Sequence, residues 1–254
     1  MKNTIIVTCC NKKYEKFIPL FCMSLALFND DIVIEIGISS KKLPDETEII
    51  LENIRKDCNI EIQIDYELFK EEDNYVVFNN QKTLPNTVRF LFKPKMKAKY
   101  VYISDIDIIN LQKNFYELMI KDMKKNNINY SNIVRPNTTR LTGLHFSKYN
   151  TYYPISTENI KNYMENDEMI LYKIVSSKCA INHSLTYRPV HGIHISPNRK
   201  LDNKNGPNWG CSEIWKENYF NMINSVLFVK NYKYFNKDIK TIIKQITDYY
   251  MNKN

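Results

Sequence analysis

Two carboxylates two residues apart, Asp105 and Asp107, close the apolar run Lys99-Tyr-Val-Tyr-Ile-Ser-Asp-Ile-Asp-Ile-Ile109. In an extended run side chains alternate, so both carboxylates face the same side. Unpaired carboxylates beside a core are costly, and a bound divalent cation is a common compensation. Hard oxygen donors suit Mg²⁺ or Mn²⁺, ions that usually also carry substrate phosphates. The alternative is a solvated strand end, and Asp65-Tyr-Glu67 supplies an internal contrast. It follows Ile60-Glu-Ile-Gln-Ile64, whose polar/apolar alternation predicts a half-exposed strand with solvated acids.

Other residues suited to the same chemistry are spread along the chain. Three of the four histidines, His183, His191 and His194, fall in one stretch. The segment Val190-His-Gly-Ile-His194 is placed to deliver an imidazole from either His191 or His194 to a metal held by the Asp pair. A structural zinc site from Cys179, His183, His191 and His194 is a rival, although its spacing is not a standard one. A third reading makes these ordinary core histidines with satisfied hydrogen bonds. Arg199 and Lys200 follow closely and suit a diphosphate. Arg89 sits on an otherwise apolar helical stretch, where a cation either reaches solvent or pairs with an acid or phosphate. Asp167 and Glu168 open a predicted helix, either as N-terminal charges or as carboxylates facing a reacting centre.

The elements that must position these groups alternate in type. Strands are expected at Thr4–Cys10, Ile32–Ile38 and 59–65, with helices at 14–28 and 44–57 between them. This pattern argues a mainly parallel sheet of nucleotide-binding type, with ligands at the carboxyl ends of its strands. Further on, helices are expected at 113–125 and 167–176, strands at 141–146 and 186–195, a long loop at 196–210, and helices at 212–229 and 236–251. With 254 residues and 43% apolar content, one large domain with an ample core is expected. Only 5 glycines are present, and neither G-x-G-x-x-G nor G-x-x-x-x-G-K-[ST] occurs, so phosphates must be held by metal and cationic side chains. A net charge of +8 calls for an anionic partner. The six cysteines form no C-x-x-C, and reduced thiols in a cytoplasmic protein fit them best. The apolar stretch 17–28 is too short to span a bilayer, and no signal peptide is evident.

Taken in order, these pieces resemble the nucleotide-sugar glycosyltransferases of the GT-A fold, specifically glycosyltransferase family 8, the retaining galactosyltransferase and glycogenin group. The resemblance covers roughly residues 4–200. Thr8-Cys-Cys-Asn-Lys-Lys-Tyr14 looks like the first strand and base-contacting turn, which implies donor contacts from Thr8, Asn11 and Tyr14. Thr87-Val-Arg89 looks like the helix whose Arg approaches the diphosphate. Ser104-Asp-Ile-Asp107 is similar to the D-x-D segment, implying donor contacts from Ser104, Asp105 and Ile106 and metal ligation by Asp105 and Asp107. Leu141-Thr-Gly-Leu-His-Phe-Ser147 resembles the strand and Gly turn near the donor sugar, with Gly143 at the turn. Asp167-Glu-Met-Ile-Leu171 is similar to D-Q-D-I-L, with Glu168 where Gln is usual. His194 followed by Lys200 resembles H-x-x-G-x-x-K-P-W. There Pro197 replaces the Gly and Leu201-Asp202 the Pro-Trp, so His191 stays open as the third ligand.

The resemblance implies an α/β, GT-A type single domain: a central mainly parallel mixed sheet flanked by helices, with a helical C-terminal extension. It also implies an Mn²⁺- or Mg²⁺-dependent hexosyltransferase that moves sugar from a nucleotide-sugar donor, a UDP-sugar, to a saccharide or lipid-linked acceptor with retention. Asp167 and Glu168 are then the carboxylates at the reacting centre. An inverting enzyme would use Glu168 or Asp167 as base. A reading of another class is a basic nucleic-acid-binding protein, suggested by the charge and 18 tyrosines but lacking an RNP-like motif, so no nucleic-acid partner is expected. A catalytically dead binding domain is disfavoured by the intact Asp pair. The Asn/Lys/Ile-rich composition fits an AT-rich genome and a bacterial surface-polysaccharide enzyme. The division expected is 1–229 for the transferase domain and 230–254 for a basic amphipathic helix. That helix either packs its Ile face on the domain or holds the protein peripherally on the anionic inner face of a membrane.

Overall fold

The computed structural model describes residues 2–196 and 210–252. Its centre is built from continuous Ile/Val runs, the pattern of strands covered on both faces. β1 (Thr4–Cys10) lies between β2 (Ile32–Ile38) and β7 (Tyr100–Ile103), parallel to both, and β3 (Glu61–Asp65) extends the parallel set beyond β2. β10 (His145–Lys148) joins antiparallel to β7, and β9 (Tyr130–Ser131) antiparallel to β10. The result is a six-stranded mixed sheet in the order β3-β2-β1-β7-β10-β9. The α/β architecture with a mainly parallel central sheet is the one expected from the sequence.

Alternation along β1 feeds two cores. Ile6 and Cys10 join one with the apolar faces of α1 (Ile18–Phe28), α2 (Asp45–Cys58) and α4 (Phe115–Asn126). Ile5, Val7 and Cys9 join the other with α3 (Val88–Leu91), α5 (Tyr149–Tyr152) and α6 (Asp167–Ser176). Local signals set the helix ends. Asp45, Glu46 and Glu48 occupy the first turn of α2, Arg55 and Lys56 its last, and Asn59 closes it at φ 49°. The chain ends in α7 (Glu213–Ile223), α8 (Val226–Asn231) and α9 (Lys237–Met251). All three helices pack onto the same core as α1 and α2, with Ile239, Ile243, Ile246 and Tyr250 buried. A small antiparallel sheet of β4 (Lys70–Glu71), β5 (Val76–Phe78) and β6 (Gln81–Thr83) stands beside the second core. Among the described residues no helix is long and apolar enough to cross a membrane.

Several sequence expectations are corrected. The extended run does not reach the Asp pair: β7 stops at Ile103, Ser104–Asp107 form a turn, and β8 (Ile108–Asn110) follows. Residues 186–195 hold only the short strand β11 (Gly192–His194), and the strand expected at 141–146 is shifted to β10. The helix at 14–28 begins as a 3₁₀ turn at Glu15–Phe17, ahead of Pro19 in α1. The stretch 212–229 breaks at Asn224–Ser225, where the Ser225 hydroxyl caps α8 through the Phe228 N–H. Asp65 is not solvated: it is 5% exposed and paired to Lys95, whereas Glu67 is exposed and lies 3.8 Å from Lys41. Its partner comes from a loop thirty residues away, which local alternation cannot reveal.

Candidate metal and donor site

The turn after β7 is held from below, because the Ser104 N–H donates to Val7 O at 3.0 Å and continues the β1 ladder. Asp105 and Asp107 therefore sit just past the carboxyl ends of the parallel strands, where α/β sheets bind ligands. β8 leaves this turn and pairs antiparallel with β11, setting His194 opposite Ile108. The Ile195 N–H reaches Asp107 O at 2.8 Å. That pairing carries His194 Nε2 to 2.9 Å from Asp107 Oδ1. One ligand atom from each of Asp105, Asp107 and His194 falls within 4.8 Å of the others.

Two carboxylates and an imidazole converging in a largely buried turn form a donor set that fits a divalent cation. Burial opposes ionisation of Asp107, but the His194 hydrogen bond and charge outweigh it and hold this carboxyl below its usual value. His191 is not part of the group. It lies 1% exposed with Nε2 at 2.5 Å from the Tyr102 hydroxyl and its ring against Phe115. Burial, then the nearby Arg188, push it down to about 3, so it stays neutral. The zinc alternative does not assemble among the described residues: Cys179 donates to Val175 O, and exposed His183 meets Tyr172.

Arg89 links the Asp pair to the helix opened by Asp167. It is 7% exposed, with Nη1 at 2.8 Å from Asp105 Oδ1 and Nη2 at 3.3 Å from Asp167 Oδ2. Nη2 also donates to Gly143 O at 3.4 Å. Burial works against this guanidinium's charge, yet Asp105, Asp167 and Asp107 together hold its pKa above the ordinary value. Gly143 packs closely here, since a Cβ there would stand 3.0 Å from Arg89 Nη2 and the guanidinium would have to give by a few tenths of an ångström. Burial pushes the Asp167 carboxyl up, with Arg89 opposing the shift.

The remaining expected residues fall around the same edge. Thr8 is fully buried in β1, and its hydroxyl has no hydrogen-bond partner among the described residues. Asn11 Oδ1 is likewise buried and without one. Tyr14 is half-buried; burial and then Asp107 raise its hydroxyl, and Ser196 bonds to it. Ser104 Oγ donates to Asp105 O at 3.0 Å, and the Ile106 side chain belongs to the core. Lys200 and Arg199 lie outside the described residues, as do Pro197 and Leu201-Asp202.

Three arginines outside the metal group escape a sequence reading. Arg135 forks both carboxylate oxygens of Glu168, and Arg140 Nη2 lies 3.2 Å from Glu168 Oε2. Arg188 is 8% exposed, and burial, opposed by Tyr102 and Asp105, lowers its pKa. The one signal for the first two is symmetry, because Arg135 and Arg140 bracket Pro136-Asn-Thr-Thr139 at the two ends of a turn.

No protein-family model matches the chain, and no curated protein does. Similar solved structures include the glycosyltransferase GlyE of Streptococcus pneumoniae TIGR4, 14% identical over 70% of this chain and 44% of that one, with a TM-score of 0.47. The apo form of GlyE is 12% identical over 72% and 45%, with a TM-score of 0.45. The bifunctional glycosyltransferase WbbM in its apo form is 11% identical over 92% and 52%, also at 0.45. The chain thus spans about half the length of these structures. Likeness at this level leaves activity to be argued from the site itself.

Proposed function

We propose that this chain is a metal-dependent glycosyltransferase that moves a sugar from a nucleoside-diphosphate sugar, a UDP-sugar, to a saccharide or lipid-linked saccharide with retention of anomeric configuration. The observation that carries this reading is the Asp105, Asp107 and His194 group, lying within 4.8 Å beside buried Arg89 at the ligand-binding edge of the sheet. Asp105, Asp107 and His194 would hold a divalent ion, which would supply Lewis-acid charge at the departing nucleoside diphosphate. Arg89 adds fixed positive charge at the same place, already desolvated and oriented by Asp105 and Asp167. We assign Tyr14 and Asn11, just past the end of β1, to the nucleoside of the donor, the role that the resemblance of residues 8–14 implies. Support for retention comes from the acids near the centre: Glu168 is clasped by two arginines and Asp167 is paired with Arg89, which leaves neither idle as a base. Inversion with Asp167 as base is the second reading, favoured by the upward push of burial on its carboxyl. Synthesis of a cell-surface polysaccharide at the inner face of the membrane is the setting we infer.

The test is calorimetric titration of the chain with UDP, with and without Mn²⁺, repeated on Asp105→Asn and Asp107→Asn. UDP binding should require Mn²⁺ and disappear in both variants. Equal UDP affinity in excess chelator, or in either variant, overturns the reading. A screen of nucleotide sugars by thermal stabilisation then identifies the donor, and the anomeric proton coupling of the product decides between retention and inversion.

A further inference from the structure

The hairpin at residues 134–141 carries an unbalanced charge pattern. Val134 and Leu141 form a bridge, and the Arg135 N–H donates to Arg140 O at 2.8 Å, so the two arginines stand directly opposite each other. Like charges in that relation are destabilising unless an anion sits between them. Glu168 is such an anion, yet it offers one negative charge to two guanidiniums, and Arg135 alone already engages both of its oxygens. The two arginine side chains keep 44% and 36% of their surface exposed. Both line an open cavity of about 790 Å³, together with Asn137, Thr138, Met169 and His183. That volume is in the range that holds a small molecule. Glu168, which holds the arginine pair, is the neighbour in α6 of Asp167, which takes Arg89 of the metal and donor site.

We propose that this cavity is the acceptor subsite and that the acceptor is a saccharide bearing an oxyanion, a phosphate or a carboxylate, gripped by Arg135 and Arg140 beside Glu168. The proposal rests on the glycosyl-transfer reading for the word acceptor, while the oxyanion preference is a property of the cavity alone. With the Arg135 fork committed to Glu168, Arg140 supplies the guanidinium contact and Arg135 its charge, and a charge-assisted contact of this kind favours an oxyanion over a neutral hydroxyl. Asn137 and Thr138 at the hairpin tip provide polar groups for sugar hydroxyls.

The experiment titrates the full chain, in chelator and without metal, with glucose 6-phosphate, glucuronate, glucose and inorganic phosphate. The charged sugars should bind at least about tenfold more tightly than glucose, and this advantage should shrink with salt. Arg140→Gln should remove about tenfold of that affinity, and Arg140→Lys, which keeps charge but loses the fork, should fall between. Arg135 still forks Glu168 in both variants, so a melting temperature near that of the parent is expected. UDP–Mn²⁺ affinity should stay within about twofold of the parent, because neither arginine of the hairpin touches the metal group. Equal binding of glucose and the charged sugars overturns the proposal, as does unchanged affinity in Arg140→Gln. Inorganic phosphate binding as tightly as glucose 6-phosphate would make this a free-phosphate site, and a parallel loss of UDP affinity would make the arginines donor ligands; each also overturns it. Failure of the parent to bind UDP with Mn²⁺ sinks the glycosyl-transfer reading instead, a result separable from the anion titrations.

Discussion

His191 and His194 lie three residues apart and are held by different forces, which makes them separable by substitution. His194 reaches Asp107 at 2.9 Å at the edge of the sheet, whereas His191 is enclosed by Tyr102 and Phe115. His194→Ala should weaken Mn²⁺-dependent UDP binding by more than about tenfold with little change in melting temperature. His191→Ala should do the reverse, costing about 3 kcal/mol of stability through the cavity it opens while nucleotide affinity stays close to the parent's. Paired calorimetry and thermal melts read both, and equal losses of nucleotide affinity would remove the distinction. From sequence the two were alternatives, because each sits near the end of the same apolar stretch and only the β8–β11 register separates them. The Asp pair was legible because it ends an apolar run. Arg135 and Arg140 were not, since arginines beside Pro, Asn and Thr read as solvated turn residues. Their significance comes from Glu168, more than twenty-five residues away in the chain.

Among elements, the short β8–β11 pair and the segment leading into β7 decide whether the site assembles. A Cβ on Gly192 would stand 1.9 Å from Ile109 O, a backbone atom that cannot swing aside. Gly192→Ala should therefore lift β11 from β8 and withdraw His194 from Asp107. The expected result is a fall in Mn²⁺ affinity of at least about tenfold in a chain that keeps its secondary structure; unchanged affinity would mean the two strands are not what places His194. Glu35 of β2 pins the segment between Arg89 and the Asp pair, accepting the Lys95 N–H at 2.6 Å and the Met96 N–H at 3.0 Å. Burial raises its carboxyl from 4.5 to about 7, with the two N–H donors opposing and Asp65 adding to the shift. A proton held more tightly in the folded state stabilises that state fully below about 4.5, and the contribution is lost as pH rises through about 7. Lys95, paired with Asp65, is the cation facing this pair. Urea titrations from pH 5 to 8 should show stability declining, with a shallower decline in Glu35→Gln; parallel curves would remove Glu35 as the source. Elements were most legible where burial is two-sided and local. β1, β2 and α6 occupy the residues expected, whereas the turn at 104–107 and the three-residue β11 are set by pairing across eighty residues and leave little periodic signal.

At the scale of the whole molecule, the C-terminal helices decide whether the chain is a domain with an appendage or one continuous body. A basic amphipathic segment suits an anionic membrane surface, and it equally suits a helix whose apolar stripe is covered by its own domain. Here Ile239, Ile243, Ile246 and Tyr250 are 5% exposed or less and belong to the core shared by α1 and α2. Polar ties add to that packing. The Tyr219 hydroxyl bonds to Ile243 O at 2.7 Å and to Thr247 Oγ1 at 2.9 Å, and the Tyr250 hydroxyl donates to Ser212 O at 3.0 Å. At about 1.5–3 kcal/mol for each buried apolar side chain, the four together are worth roughly 6–12 kcal/mol. That sum is comparable with the whole stability of a typical domain. Truncation after Val229 should therefore give a chain without a cooperative thermal transition, rather than a folded enzyme released from a membrane. Circular dichroism melts of the truncated and full chains check this, and a truncated chain that melts cooperatively within a few degrees of the parent would show that α9 is an appendage. Membrane contact is tested separately on the intact fold by replacing the solvent-facing Lys237 and Lys244 with Gln. Weaker sedimentation of that variant with anionic vesicles, at an unchanged melting temperature, would assign those lysines to lipid while leaving the Ile face in the core.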